Sequence, residues 1–249
     1  MSAMSTTGSA VSEPQQEPEP QPVPTRHRAA QARGRRIGLP LRLYARLRTP
    51  TDEEFDDIGR RLMRRDEPAA ALVAAMRLPR GDAEAVSMRQ FEQALTGRMP
   101  PSAPAALRAF FATVEATPAW VDHDLCARGA AVYRRLGQNA NDVLLQLSLI
   151  GGYRFGGPPD LLVATGGLTG STSIRRLGET QTWAIEVGQP GALREHERAW
   201  ALTVHVRLMH ALVNETFERN GRWDAARWGL PINQADLAAT LSLDPPIGF

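Results

Sequence analysis

The chain contains no lysine; all 29 of its basic residues are arginine. No Schiff-base or other lysine chemistry is therefore open to it. A single cysteine, Cys126, excludes an internal disulfide, a C-x-x-C metal or redox motif and a covalent c-type haem. Aromatic residues make up only 6% of the chain, while Ala and Leu are abundant, which favours helix over a β-sandwich. No run of about 18 apolar residues occurs, so no transmembrane helix is expected. Arg35-Arg36 precede Ile37-Gly38-Leu39, but Pro40, Arg42 and Arg46 interrupt the apolar stretch that an export signal needs. A cytoplasmic location is the expectation. A basic stripe interleaved with aromatics is also missing from the part expected to fold, so no specific nucleic-acid partner is expected.

What is present suits one globular unit with an arm. Of 249 residues, 43% are hydrophobic and 22% charged, with a net charge of +2. Glu13 to Pro24 alternates Pro, Glu and Gln and cannot bury enough apolar surface to offset its ordering entropy. Residues 1–48 are therefore read as an arm, disordered and Pro/Glu/Gln-rich at first and then basic. Arg26 to Arg48 is expected to dock on the domain or on an acidic surface. Residues 49–249 are read as the folded domain.

Helical spacing dominates that domain. Thr51-Asp52-Glu53-Glu54 has the form of a capping box ahead of Phe55, Ile58, Leu62 and Met63. Pro68 opens a helix through Met76. Met88, Phe91 and Leu95 share a face before Gly97, and Leu107, Phe110, Phe111 and Val114 share the next. Leu125, Val132, Tyr133 and Leu136 predict a helix ending at Gly137. Residues 143–150 are apolar nearly all round and predict a central helix. Further helices are expected over 174–187, begun by Ser171, Thr172 or Ser173, over 198–219, and after Asn233. No alternating strand pattern appears, and the expected class is an all-α helical bundle.

Five histidines are candidates for chemistry. His27 falls in the arm, His123 in a polar turn, and His196 beside a helix start as a solvated side chain. His205 and His210 are five residues apart on one helix, roughly 140° around its axis, and so cannot chelate one metal as an i, i+4 pair would. His210 lies amid Val206, Leu208, Met209, Ala211, Leu212 and Val213. Such a histidine is either a hydrogen-bonded core residue or a ligand; an apolar pocket with one imidazole is what non-covalent haem needs. Arg176 and Thr180, at i, i+4, share a helix face. They form either a surface pair or a face that donates hydrogen bonds to dioxygen, if the loop 188–194 folds their helix antiparallel to that of His210. Asp160, after Pro158-Pro159, is either a helix N-terminal acid or a carboxylate base at a pocket wall.

Four segments occur in one order: Asp160-Leu-Leu-Val-Ala-Thr-Gly-Gly-Leu, Arg176-Leu-Gly-Glu-Thr180, Val206-Arg-Leu-Met-His210-Ala, and Gly229-Leu-Pro-Ile-Asn-Gln234-Ala-Asp-Leu-Ala-Ala-Thr240. Together with Pro118-Ala-Trp120-Val-Asp122, they resemble the rubber oxygenase (latex-clearing protein) and MpaB oxygenase family over roughly residues 100–245. The resemblance implies a helical bundle enclosing a b-type haem, with His210 as axial iron ligand. It also implies Arg176 and Thr180 on the distal side holding dioxygen, and Asp160 where rubber oxygenases carry a Glu base. The function implied is a haem-dependent oxygenase that uses dioxygen to oxidise or cleave an unsaturated, apolar, isoprenoid-like small molecule. Three departures bear on this. Asp160 is one methylene shorter than Glu, Glu179 stands where rubber-cleaving members carry Lys, and the family's domain usually continues beyond the point where this chain ends. They point away from polyisoprene and support an alternative from another class: a non-catalytic helical module, derived from this family, that binds an apolar ligand or a protein.

Overall fold

A computed structural model describes residues 23–29, 31–143, 156–166 and 171–243. Among these residues there are thirteen α-helices and no strand, so the protein is all-α. The apolar run 143–150, expected to form a central helix, lies outside the described residues beyond Val143.

The helix starts follow local chemistry. Helix α3 (Asp52–Arg61) begins with the expected capping box: Thr51 Oγ1 accepts from Glu54 N at 3.2 Å, and Thr51 N donates to Glu54 Oε2 at 2.8 Å. Helix α4 (Glu67–Met76) carries Pro68 in its first turn and is capped by Asp66, which accepts from Ala69 N. Helix α5 (Met88–Leu95) has a second capping box, Ser87 with Gln90, that the spacing argument had not singled out. Helices α6 (Ala105–Glu115) and α7 (His123–Leu136) follow, the latter closed by Gly137.

The main core is where α4 packs on α6 and on the long helix α11 (Arg198–Asn220). Leu72, Val73, Phe91, Leu107, Phe110, Phe111 and Leu208 are all essentially inaccessible to solvent. Phe91, Phe110 and Phe111 form a triangle with ring centroids 5.6–6.2 Å apart. Offset and edge-on contacts of this kind add roughly 0.5–1.5 kcal/mol per pair to the burial term. His205 turns to this cluster, its ring 6.1 Å from that of Phe91, and reads as a core histidine.

The remaining helices are α8 (Gln138–Val143), α9 (Pro158–Ala164), α10 (Ser171–Val187), α12 (Ala225–Trp228) and α13 (Gln234–Leu243). Helix α10 packs along α11. Trp183 Nε1 donates to Thr203 Oγ1 at 2.9 Å, and Arg198 pairs with Glu186. The partners move in opposite directions along the two helices, so the pair is antiparallel, as the loop had suggested.

The N-terminal segment is also helical: α1 (Thr25–Ala29) and α2 (Gln31–Tyr44), the latter running through Pro40. His27, expected in a disordered arm, is instead stacked on Phe55 with ring centroids 4.0 Å apart. The reason is charge. Arg28 pairs with Asp56, Arg35 with Asp52 and Arg48 with Glu54, so the basic arm lies on the acidic residues of α3. Arg26 goes further, pairing with Asp236 at 2.5 Å and donating to Gly156 O at 2.7 Å. Gly157, at φ 107°, lets the guanidinium lie against the backbone, since a Cβ there would fall 1.9 Å from Arg26 Nη1.

Candidate functional site

His210 projects from the middle of α11 into a cavity of about 370 Å³. One wall is α4, through Asp66, Ala70, Ala74 and Arg77. Another is α11 itself, through Arg207, Ala211, Asn214, Glu215 and Glu218, and Ile232, Gln234 and Leu237 close the third side. The third side is built from the Pro-Ile-Asn-Gln segment, whose position is set by a buried amide. Asn214 Nδ2 donates to Ile232 O at 2.7 Å, and Ile232 N donates back to Asn214 Oδ1 at 2.8 Å. Asn233, fully buried, caps α13 by accepting from Asp236 N and donates to Leu230 O. Leu230 N and Gln234 N donate to Leu62 O and Arg64 O, which ties the segment to the end of α3. Gly229 allows the approach: a Cβ there would meet Leu62 O at 2.6 Å.

Charge in this cavity is paired. Arg207 forms a two-point ion pair with Asp66 and lies over the Phe110 ring, its carbon 5.5 Å from the centroid. Arg65 pairs with Glu218, and Arg77 with Glu215. Against this background His210 has no hydrogen-bond partner among the described residues. Burial pushes its pKa below the usual histidine value, and the nearby Arg176 charge acts in the same direction; Asp66 opposes them. Burial and the Arg176 charge both favour the neutral imidazole, the form that offers a lone pair to a metal.

Arg176 lies at about the level of His210 along the α10–α11 pair. From Trp183 to Arg176 is seven residues back on α10, and from Thr203 to His210 is seven forward on α11. Two helical turns on each helix thus separate the Trp183–Thr203 bond from the level of Arg176 and His210. Arg176 and Thr180 are both solvent-exposed. The Thr180 hydroxyl donates to Arg176 O at 3.0 Å, inside its own helix. Glu179 pairs with Arg175 at 2.8 Å and leaves the Arg176 guanidinium to itself. Elsewhere on these two helices Ile174, Leu177, Val206 and Met209 present uncovered apolar surface, Ile174 being 80% exposed.

Asp160 sits elsewhere. It is not among the side chains lining the His210 cavity. Its Oδ2 accepts from Gly157 N at 2.9 Å at the start of α9, close to the Trp228 ring and the Arg26 anchor. Arg176 is thus near enough for its charge to act on His210, but neither it nor Thr180, one turn away, lines the cavity, and Asp160 is a helix-capping acid. Asp66, Arg207 and Asn214 went unnoticed in the sequence. Arg207 and Asn214 lie three residues before and four after His210, the spacing of one helix face, and that was the available signal.

Residues 136–243 match the family model described as ER-bound oxygenase mpaB/B'/Rubber oxygenase, catalytic domain. No curated protein and no solved structure matches the chain. The matched stretch takes in α8 to α13 and every residue singled out for chemistry: Asp160, Arg176, Thr180 and His210.

Proposed function

We propose, from the membership of residues 136–243 in the MpaB and rubber-oxygenase catalytic-domain family, that this protein is a haem b-dependent oxygenase. Its substrate class is an unsaturated, apolar, isoprenoid-like small molecule, oxidised or cleaved with dioxygen. The observation that carries the reading is His210: a half-buried imidazole, its protonation disfavoured, without a hydrogen-bond partner among the described residues, within the matched segment.

The residues present fit the cofactor in part: His210 suits the ligand role, while the cavity walls also carry the charged side chains of Arg65, Asp66, Arg77, Arg207, Glu215 and Glu218. His210, on the 23-residue helix α11, would hold the iron through its neutral imidazole. The apolar part of the cavity lining, Ala70, Ala74, Ala211, Ile232 and Leu237, is what would meet a flat, largely apolar group. Haem, when bound, supplies the redox chemistry of oxygen activation; the protein supplies the ligand, the orientation and the surroundings. Within that division Arg176 brings a fixed positive charge beside His210 and disfavours its protonation. Thr180, by rotating its hydroxyl away from Arg176 O, becomes a hydrogen-bond donor on the same face. Asn214 holds the wall opposite α4 in register with His210. Asp160 would act as base only after leaving its cap on α9, since its carboxylate is engaged by Gly157 N.

That last point, with the hydroxyl of Thr180 held inside its own helix, favours a second reading: a non-catalytic helical module that binds an apolar ligand or protein. An absorption spectrum of the purified protein, with and without added haemin, separates the two. The oxygenase gives a strong haem band that His210→Ala abolishes. A colourless protein that takes up no haemin means the binding module, and a His210→Ala protein with full haem content removes His210 as the ligand.

A further inference from the structure

Helix α2 is amphipathic in an unusual sense: its apolar side chains face away from the protein. Gln31, Arg35, Gly38 and Arg42, at i, i+4, i+7 and i+11, form the sheltered side. There Arg35 pairs with Asp52, and Arg42 donates to Arg35 O. Around the opposite side run Arg33, Arg36, Ile37, Pro40, Leu43 and Tyr44, all exposed. Ile37 is 54% exposed, Leu43 70% and Tyr44 90%, and Leu47, just past the helix, is 61% exposed. Exposed apolar side chains gathered on one side of a docked helix, here with Arg33 and Arg36 among them, mark a surface that meets something else.

Charge identifies the partner. Between Thr25 and Thr51 there are eight arginines and no acidic residue. Arg26, Arg28, Arg35 and Arg48 are taken up by acids of the domain. Arg33, Arg36 and Arg46 have no partner among the described residues, and Arg33 and Arg36 lie on the apolar face itself. Exposed apolar side chains and a tyrosine interleaved with unpaired arginines suit contact at headgroup depth, where arginine stems cover apolar surface while their heads meet anionic phosphates. A symmetric contact with a second copy would bring these unpaired arginines against one another. A phosphate backbone would leave Ile37 and Leu43 without use.

We propose that α2 is a membrane-surface helix, seating Ile37, Leu43 and Tyr44 in the interface of an anionic leaflet with Arg33 and Arg36 on its phosphates. It lies in the plane, being 14 residues long, and no described helix is long and apolar enough to cross a bilayer. The inference does not depend on the oxygenase reading.

Co-sedimentation of the full chain with vesicles tests it. Vesicles of phosphatidylcholine with phosphatidylserine should carry the protein down, and phosphatidylcholine alone should not. Arg33→Gln and Arg36→Gln should each weaken binding roughly fivefold, and added salt should weaken it further. The triple change Ile37→Ser, Leu43→Ser, Tyr44→Ser should abolish it while helix content stays unchanged. A second measurement does not depend on how that variant folds. A polarity-sensitive dye on Tyr44→Cys, in a Cys126→Ser background, should shift to the blue with anionic vesicles. No binding to anionic vesicles, full binding by the folded triple variant, or no dye shift overturns the proposal. So does a wild-type dimer that the triple change converts to monomer.

Discussion

The two halves of the molecule are packed differently. Between α4 and α6, and along α11, aromatic and aliphatic side chains are sealed from solvent: Leu72, Phe91, Leu107, Phe110, Phe111 and Leu208. Along α7 and the first half of α10, no described side chain is buried to that degree, and Leu125, Val132, Ile174 and Leu177 are exposed. Yet the family match covers α8 to α13 and hence much of the sparse half, while α4 to α6 precede it. Only α11 belongs to both, with Trp200, Val204 and Leu208 in the core and His210 two residues on. The densely packed half therefore supports α11 and, through α4, also walls the His210 cavity, while the sparsely packed half lies along α11 through α10. Rigid support beneath a loosely covered site is the arrangement by which binding regions draw on the low-stability end of a structure.

The comparison can be broken most severely in the dense half. Phe91→Ala removes a ring that touches Phe110, Phe111 and His205. It should cost about 3–5 kcal/mol, read as a large fall in the thermal midpoint. A smaller loss, about 1–3 kcal/mol, is expected for Asn214→Ala, which orphans the buried backbone groups of Ile232. Its second signature is a change at the cavity. Haemin affinity should drop together with stability, whereas Phe91→Ala should lower stability first.

Acid should act next. His27 and His210 both have folded pKa values below 6.5, each through burial first. The unfolded chain therefore binds more protons than the native one, and stability is full above about pH 6.5 and declines as pH falls below it. Glu54, held down to about 2 by Arg48 and the Thr51 amide, stays ionised throughout that window. Thermal midpoints measured from about pH 7 to about pH 5 should fall, and His27→Gln should flatten part of the slope. A midpoint that rises on acidification would contradict the assignment. The smallest effect belongs to the sparse half. Ile174→Ser should change stability by no more than about 0.5 kcal/mol, and a loss above about 2 kcal/mol would show that α10 is packed more tightly than described.

The helices were legible in the sequence wherever their signals are local. The Thr51 capping box, Pro68, Gly137, the Phe91 and Phe110 faces and the Asn233 cap each involve residues within four of one another, and each lies where expected. The antiparallel α10–α11 pair followed from a short loop. What could not be read depends on partners far along the chain. The arm folds into α1 and α2 because Arg26 finds Asp236, 210 residues away, and because α3 offers Asp52, Glu54 and Asp56. Asn214 looked like any polar helix residue until Ile232 was placed against it. Asp160 satisfied two descriptions equally well, and only the Gly157 amide shows that its carboxylate is occupied in this conformation.

The bond between Arg26 and Asp236, like the backbone ties from Leu230 and Gln234 to Leu62 and Arg64, joins the two ends of the described chain. During synthesis on the ribosome, α4, α5 and α6 emerge early and hold mostly local contacts. The third wall of the His210 cavity waits until residues 229–237 have left the exit tunnel. Contacts of such long sequence separation form slowly, because the intervening loop must close first. The cavity is thus the last part of the nascent protein to take shape, and a chain stalled or cut before residue 229 would carry its aromatic core and α11 but no enclosed site.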